Sequence, residues 1–554
     1  MMRRVVASWV VVGLVLGWGC GSQPEGAAPG AAAPLARVAT SEGGMVVSGS
    51  EPATRAGAEI LARGGNAVDA AVATAFALAV TEPTQSGLGG RTQALVRRPS
   101  GETFGVDATT VVPAGYDPDT AEPAEDGYSV IAIPGTVAGL ARLLDEGGSM
   151  TWADVIGPAL RLAEDGFPLS EGEARRFAGI RDRLALSEGA RATFVKSDGT
   201  DWEAGERFAQ PELARVLRAL AVEGPGAFYE GWIAEAMVED FQRHGGAVAA
   251  PDLAGYEALP ALVVEGRFGT LDLIGTYLPA SGATTIEALQ ILDRVELPGP
   301  EAPDRALVMG AALLAAFEDR ETARRDPRPP EQDAAWVTSD SLADARASRL
   351  ASRPARVVGA ASVPAGADRE TAHTSHLSVV DARGMAVAMT QSLGPTGGSR
   401  VATAGLGFLY AATMGYLDRS EPGDRPWSSQ SPLIGLRDGR LAVVMGGAGS
   451  RRIISAMVGT LVRMEVDGLG LEEAMAAPRF HPSGSWTFER MDSMPEPVGA
   501  QAARVAGYTV EIQPSDTWFA RLNVITVDPP SGSITGVADP RWAWGAAAGP
   551  EAIR

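Results

Sequence analysis

The sequence predicts a mixed α/β protein of the α+β kind, rich in helix over its first two thirds and rich in strand afterwards. Helical periodicity dominates residues 137–240 and returns over 284–295 and 306–325. The character changes at His376, where residues 376–380 and 386–390 form two short apolar, β-branched runs joined by a turn at 381–385, a β-hairpin. With 554 residues, 45% of them hydrophobic and 21% charged, the chain has the mixture of a globular protein with a large core.

Taken in order, residues 45–48 form a strand and a helix runs from about 52 to 63, where Gly64 and Gly65 stop it. The next helix, 67–80, is almost wholly apolar and so must be buried. Glu82-Pro83 ends it, and Ser-Gly-Leu-Gly-Gly at 86–90 makes a glycine turn before a strand at 93–97. Within the helical region, 201–213 reads as irregular. After Arg328-Pro329-Pro330 a polar, Ala- and Arg-rich segment continues to Glu370, and further strands are expected at 433–436, 441–445, 523–527 and 533–537. There is no internal repeat.

Composition excludes several chemistries. The chain holds one Cys (Cys20), one Lys (Lys196), 46 Arg and four His. One Cys cannot form an internal disulfide or supply the paired thiolates of a zinc ribbon or iron-sulfur cluster. Lys196 follows no glycine-rich phosphate loop, and the four His include no His-Glu-x-x-His pattern, so neither a nucleotide site, a metal nor any other cofactor is expected. A formal net charge of −21 argues against nucleic acid, whose phosphates call for a basic face.

The first twenty residues read as an export signal: Arg3 and Arg4, an apolar run over 5–16, then Gly-Trp-Gly before Cys20. The run is shorter than the roughly 20 residues of a membrane-spanning helix. Cys20 stands where a bacterial lipoprotein is cut and acylated, which points to attachment to a membrane in the cell envelope, although Gly17 and Trp18 depart from the usual residues there. Residues 21–37, rich in Gly, Ala and Pro, read as a tether.

The chemistry concentrates at 371–381, Thr-Ala-His-Thr-Ser-His-Leu-Ser-Val-Val-Asp. This block resembles the nucleophile segment of the γ-glutamyltransferases, N-terminal-nucleophile hydrolases whose precursor cuts itself before a Thr. The likeness runs from about residue 38 to 545. It includes Gly-Gly-Asn-Ala-Val-Asp-Ala-Ala-Val at 64–72, the glycine turn at 86–90, Pro-Gly-Thr-Val-Ala-Gly-Leu at 134–140, Arg-Leu-Ala-Glu-Asp-Gly-Phe-Pro at 161–168, Ser-Ser-Gln-Ser-Pro at 428–432, Ala-Pro-Arg-Phe-His at 477–481 and Ala-Asp-Pro-Arg at 538–541. The resemblance implies a four-layer αββα sandwich and a precursor cut between His373 and Thr374 into a large subunit, 38–373, and a small one, 374–554. It implies that Thr374 is the nucleophile, with its own freed α-amine as base, and that the enzyme acts on a small-molecule amide with water or an amine as acceptor. By the same resemblance Ser392 supports the nucleophile, Ser428 and Ser429 bind a substrate carboxylate, and the backbone N–H groups of Gly449 and Ser450 meet the oxyanion; Ser450 stands for a family Gly.

Four recognition positions depart together from the family pattern. Thr109 replaces an Arg that holds the substrate carboxylate, Gly394 replaces an Asn, Thr413 a Gln and Tyr416 an Asp that meets the α-amino group. Arg91, inserted after the glycine turn, is either a relocated guanidinium for the substrate or a solvated loop charge. Two readings stay open: a working Thr hydrolase with a rebuilt substrate pocket, or a catalytically retired lipoprotein that binds a ligand in the same cleft.

Overall fold

Two seven-stranded sheets, every pairing within them antiparallel, lie face to face at the centre of the body that begins at Leu35. The computed structural model describes residues 33–122, 124–352, 372–416, 420–490, 496–515 and 518–553. The first sheet has the strand order Ala546–Ala548, Gly44–Ser48, Ala372–Asp381, Ala386–Pro395, Arg91–Arg97, Thr103–Ala108, Leu259–Ala261. The second runs Val38–Ser41, Ile534–Ala538, Arg521–Val527, Arg440–Ala448, Leu433–Arg437, Leu271–Thr276, Val263–Phe268.

Side chains alternate across a strand, so each sheet has two apolar faces to bury. Met45, Leu95, Val380 and Ala388 of the first sheet meet Ile274, Ile434, Val444 and Ile525 of the second between the sheets. On the outer face of the first sheet, Val46, Val96, Leu377 and Val387 pack with Ala67–Thr81 and its helical neighbours. On the outer face of the second, Leu273, Val443 and Val524 pack with the helices Gly282–Leu292, Arg305–Arg325 and Arg452–Glu465. The result is the αββα sandwich of the N-terminal-nucleophile hydrolases that the resemblance implies.

The helix Ala67–Thr81 is buried at every residue. Its N-terminus explains one of the sequence blocks: the Asn66 side chain accepts from the N–H groups of Val68 and Asp69, while Asp69 accepts from Asn66 N–H and from the N–H groups of Ser149 and Met150. A buried helix end without such partners would leave several unpaired donors, each costing about 1–3 kcal/mol.

One reading of the sequence needs correction. The stretch 201–213 is not irregular throughout: Arg207–Phe208 pairs with Phe167–Pro168 and a helix starts at Pro211. The polar segment after 330 contains two helices, Pro330–Val337 and Asp340–Ser352, whose buried Ala334, Val337 and Ala343 are too sparse to stand out among charges; 353–371 lies outside the described residues. The strand-rich half that begins at His376 also carries the helix Arg452–Glu465. Among the described residues no helix is long and apolar enough to cross a membrane.

Candidate active site

Thr374 lies in the strand Ala372–Asp381, whose hairpin partner is Ala386–Pro395. The ladder shifts register between His373 and Thr374, so the bond expected to be cut coincides with a β-bulge. Beyond the shift Thr374 stands opposite Ser392, and their hydroxyl oxygens are 3.0 Å apart. Gly394, at a left-handed φ of 88°, donates its N–H to Ser392 Oγ at 3.0 Å. Gly394 thus places a backbone donor on Ser392. Ser392 in turn pairs with Arg91 of the next strand, which puts Thr374, Ser392 and Arg91 in one row on the inner face of the sheet. At 5% exposure Arg91 is as buried as Thr374, so it is not a solvated loop charge.

Deeper between the sheets a second polar row supports the first. His376 Nδ1 is 2.8 Å from Thr390 Oγ1 and Nε2 is 3.2 Å from Ser378 Oγ. Its ring lies against Gly446 of the other sheet, where a Cβ would come within 2.3 Å of it. Burial lowers the His376 pKa to about 3, so the ring is neutral at physiological pH. Gln430 donates from Nε2 to the Thr390 carbonyl at 2.6 Å and accepts from Ser428 Oγ at 3.1 Å, which ties the Ser428–Ser429 pair to the hairpin. The Ser428 carbonyl accepts from Ser281 Oγ at 2.7 Å, and Arg320 donates to that same hydroxyl at 2.8 Å. Ser428 is buried and Ser429 half-buried.

Gly449 and Ser450 join the strand Arg440–Ala448 to the helix Arg452–Glu465. Both have left-handed backbones, φ 136° and 57°, and the latter is a conformation that costs a non-glycine residue about 1 kcal/mol or more. A chain of neighbours brings this loop to the Thr374 end of the sandwich. Ala448 pairs with Arg521, Arg521 reaches Gln85 Oε1 at 3.5 Å, and the Gln85 carbonyl accepts the N–H of Leu393.

Of the four positions that depart from the family pattern, Thr109 and Thr413, with Thr110, form a hydroxyl-lined wall. Thr413 and Thr110 share a hydrogen bond of 2.8 Å, and Thr109, fully buried, points its hydroxyl at the Pro426 carbonyl, 3.4 Å away. Asp107 is held by Gln93 at 2.5 Å and by Arg425 at 3.3 Å. Tyr416 closes the short turn Met414–Tyr416; its side chain and that of His373 lie outside the described residues, as does Cys20. Lys196 is remote from this chemistry and pairs with Glu206 at 2.8 Å. The sequence reading missed His376, Gln430 and a buried contact between Ser375 and Glu82. Only Glu82, a charge directly after a run of apolar residues, offered a signal. Among the described residues no cluster of His, Cys, Asp and Glu could hold a metal ion.

The family described as "Gamma-glutamyltranspeptidase" matches residues 53–549. The chain belongs to the γ-glutamyltranspeptidase family. It is 31% identical over 529 residues to the "Glutathione hydrolase proenzyme" of Escherichia coli (strain K12), covering 90% of each chain. It is 30% identical over 526 residues to the "Acylase ACY 1 proenzyme" of Pseudomonas sp. (strain V22), covering 90% of this chain and 92% of the other. Cephalosporin acylase from Bacillus halodurans shares the fold, with a TM-score of 0.82 over 96% of this chain and 99% of that one at 24% identity. As a γ-glutamyltranspeptidase relative the protein is an enzyme of a hydrolase and acyltransferase family, and its relatives divide between two substrate types.

The depressed pKa of His376 has a consequence for stability. The unfolded chain binds a proton near pH 6.5 that the folded one refuses until about pH 3, so this contribution is complete above 6.5 and is lost as pH falls towards 3. Roughly 3 kcal/mol should disappear by pH 4. His376→Asn should flatten that part of the urea-unfolding stability profile between pH 7 and 4, whereas a parallel profile would show that the ring is not the group responsible.

Proposed function

We propose that the protein is an exported, self-cleaving Thr hydrolase whose nucleophile is Thr374. The observation that carries this reading is the Thr374 hydroxyl lying 3.0 Å from Ser392 Oγ beside a β-bulge at the 373–374 bond, in a chain of this family. In maturation Thr374 Oγ attacks the carbonyl carbon of His373, and the C–N bond breaks as the ester forms. Water then hydrolyses the ester, leaving a carboxylate on His373 and an α-amine on Thr374. That amine, with a reference pKa near 8, takes the Thr374 hydroxyl proton as the oxygen attacks the substrate amide. The oxyanion is met by the N–H groups of Gly449 and Ser450, the leaving amine takes the proton, and water or a second amine releases the acyl group. No step calls on a metal or cofactor.

The substrate differs from that of a glutathione hydrolase. Where the family is expected to place charges on the γ-glutamyl head group, this pocket offers the Thr110–Thr413 hydroxyl pair and buried Thr109. An ionic contact replaced by a hydroxyl forfeits on the order of 1.5–3 kcal/mol of hydrogen bonding to a charged group. The acyl part is therefore an uncharged or less charged amide. Cys20 is proposed as the lipid attachment point, which metabolic labelling with a palmitate analogue tests: no label on wild type removes the anchor.

On a denaturing gel the wild-type chain should give fragments of about 37 and 19 kDa, from 57.3 kDa spread over 554 residues, while Thr374→Ala stays whole. An uncut wild type would instead indicate a retired binding protein. Purified cleaved enzyme should hydrolyse neutral acyl amides faster than glutathione; rapid glutathione turnover with a micromolar KM would contradict the rebuilt pocket.

A further inference from the structure

Cutting the chain before Thr374 creates a mechanical problem that the sheet alone does not solve. Along the strand Ala372–Asp381, the neighbouring strand Gly44–Ser48 reaches only residues 377–381, because its chain leaves the sheet at Gly49 and enters the helix Glu51–Ala62. Residues 374–376 therefore have a strand neighbour on one side only, at Ser392, Gln391 and Thr390. In the uncut chain they are also tethered through His373, which pairs with Gly394. After the cut that tether is gone, and an unrestrained terminus frays. A displacement of 1 Å at a nucleophile can cost about a hundredfold in rate.

We propose that Glu82 is the positioning residue that holds the nucleophile after the cut, by gripping Ser375 from the helix side of the sheet. The proposal rests on the self-cleaving reading above. Because side chains alternate, Thr374 and His376 face the space between the sheets while Ser375 faces the helices. Ser375 Oγ donates to Glu82 Oε2 at 2.5 Å, and Ser86 Oγ donates to Ser375 Oγ at 3.0 Å. On the open edge Asn523 Nδ2 donates to the His376 carbonyl at 2.7 Å. The Asn523 bond takes up a backbone group on the open edge, and the Ser375 bonds hold the strand from its helix face.

Glu82 is suited to be the fixed end of this clamp. It caps the helix Ala67–Thr81, whose complete burial leaves it no freedom to shift. Space for its carboxyl depends on Gly49, where a Cβ would lie 3.0 Å from Glu82 Oε1. Burial raises the Glu82 pKa, opposed by the Ser375 hydroxyl; Glu173 raises it further, and Arg176 and Arg521 lower it. The two guanidiniums are themselves anchored, with Arg521 3.8 Å and Arg176 4.7 Å from the ring centre of Trp542 and Arg176 paired to Glu173 at 2.6 Å. A carboxyl so enclosed stays oriented without solvent.

The test is amide hydrogen exchange, read by mass spectrometry on the peptide beginning at Thr374, in full-length protein. Cleaved Glu82→Ala should exchange at residues 375 and 376 about tenfold or more faster than cleaved wild type. Glu82→Gln, which keeps an acceptor oxygen for Ser375, should restore most of the protection. In the uncut Thr374→Ala background, adding Glu82→Ala should change the exchange by no more than about twofold, since the strand is still continuous. Ser375→Ala loosens the same amides from the other end and serves if Glu82→Ala fails to fold. Equal protection in cleaved wild type and the cleaved variants overturns the clamp while leaving self-cleavage intact. Equal loosening in the uncut background also overturns it, in favour of a general packing role, and a wild type that never cleaves removes both proposals together.

Discussion

One strand, Ala372–Asp381, carries both the bond proposed to be cut and the residue proposed to cut it, and the rest of the structure is arranged around keeping that strand in register. A nucleophile that becomes a chain terminus loses the covalent restraint that defined its position. The sheet compensates on one side through the ladder to Ala386–Pro395 and across the sandwich through His376 packed on Gly446. Where the neighbouring strand ends, Asn523 bonds the His376 carbonyl, while Glu82 and Ser86 hold the Ser375 hydroxyl from the helix side. Thr374 and Ser392 thus sit on paired strands rather than on loops, which preorganises them at the level of the fold.

The same scaffold separates two questions that a family assignment tends to merge. The residues proposed for bond making are Thr374 and Ser392, on the first sheet, and Gly449 and Ser450, between a strand of the second sheet and the helix Arg452–Glu465. Recognition is proposed to fall to Thr109, Thr110 and Thr413, on other segments. Polar but uncharged side chains there satisfy one another, so the wall is stable without a charged ligand. A shift in substrate class can therefore accumulate on one side of the cleft without disturbing the nucleophile row. That row contains Arg91, a buried guanidinium at the position next but one to the nucleophile across the sheet.

Much of this was legible in the sequence, for identifiable reasons. The hairpin around Asp381 and the buried helix at 67–81 announce themselves through apolar runs between clear turn signals, and both are present. The strands Thr103–Ala108 and Val263–Phe268 did not, because each carries charged or glycine residues that tertiary pairing overrides. The helices at 330–352 hid for the opposite reason, being largely solvated and short of apolar spacing. At the site, residue types point to the block at 371–381 and to the departures at 109, 394, 413 and 416. They could not show that Arg91 shares a row with Thr374, since register is a property of three strands distant in sequence. Nor could they show Glu82 behind Ser375, a contact that spans 293 residues.

N-terminal sequencing of the smaller fragment tests the central claim most directly, because a gel cannot tell self-cleavage from proteolysis in the polar segment before the strand. Self-cleavage by Thr374 predicts one sequence, beginning Thr374-Ser375-His376, formed by purified protein without added protease and absent from Thr374→Ala. A fragment beginning anywhere between 353 and 371, or the same fragment from the Thr374→Ala variant, would contradict it.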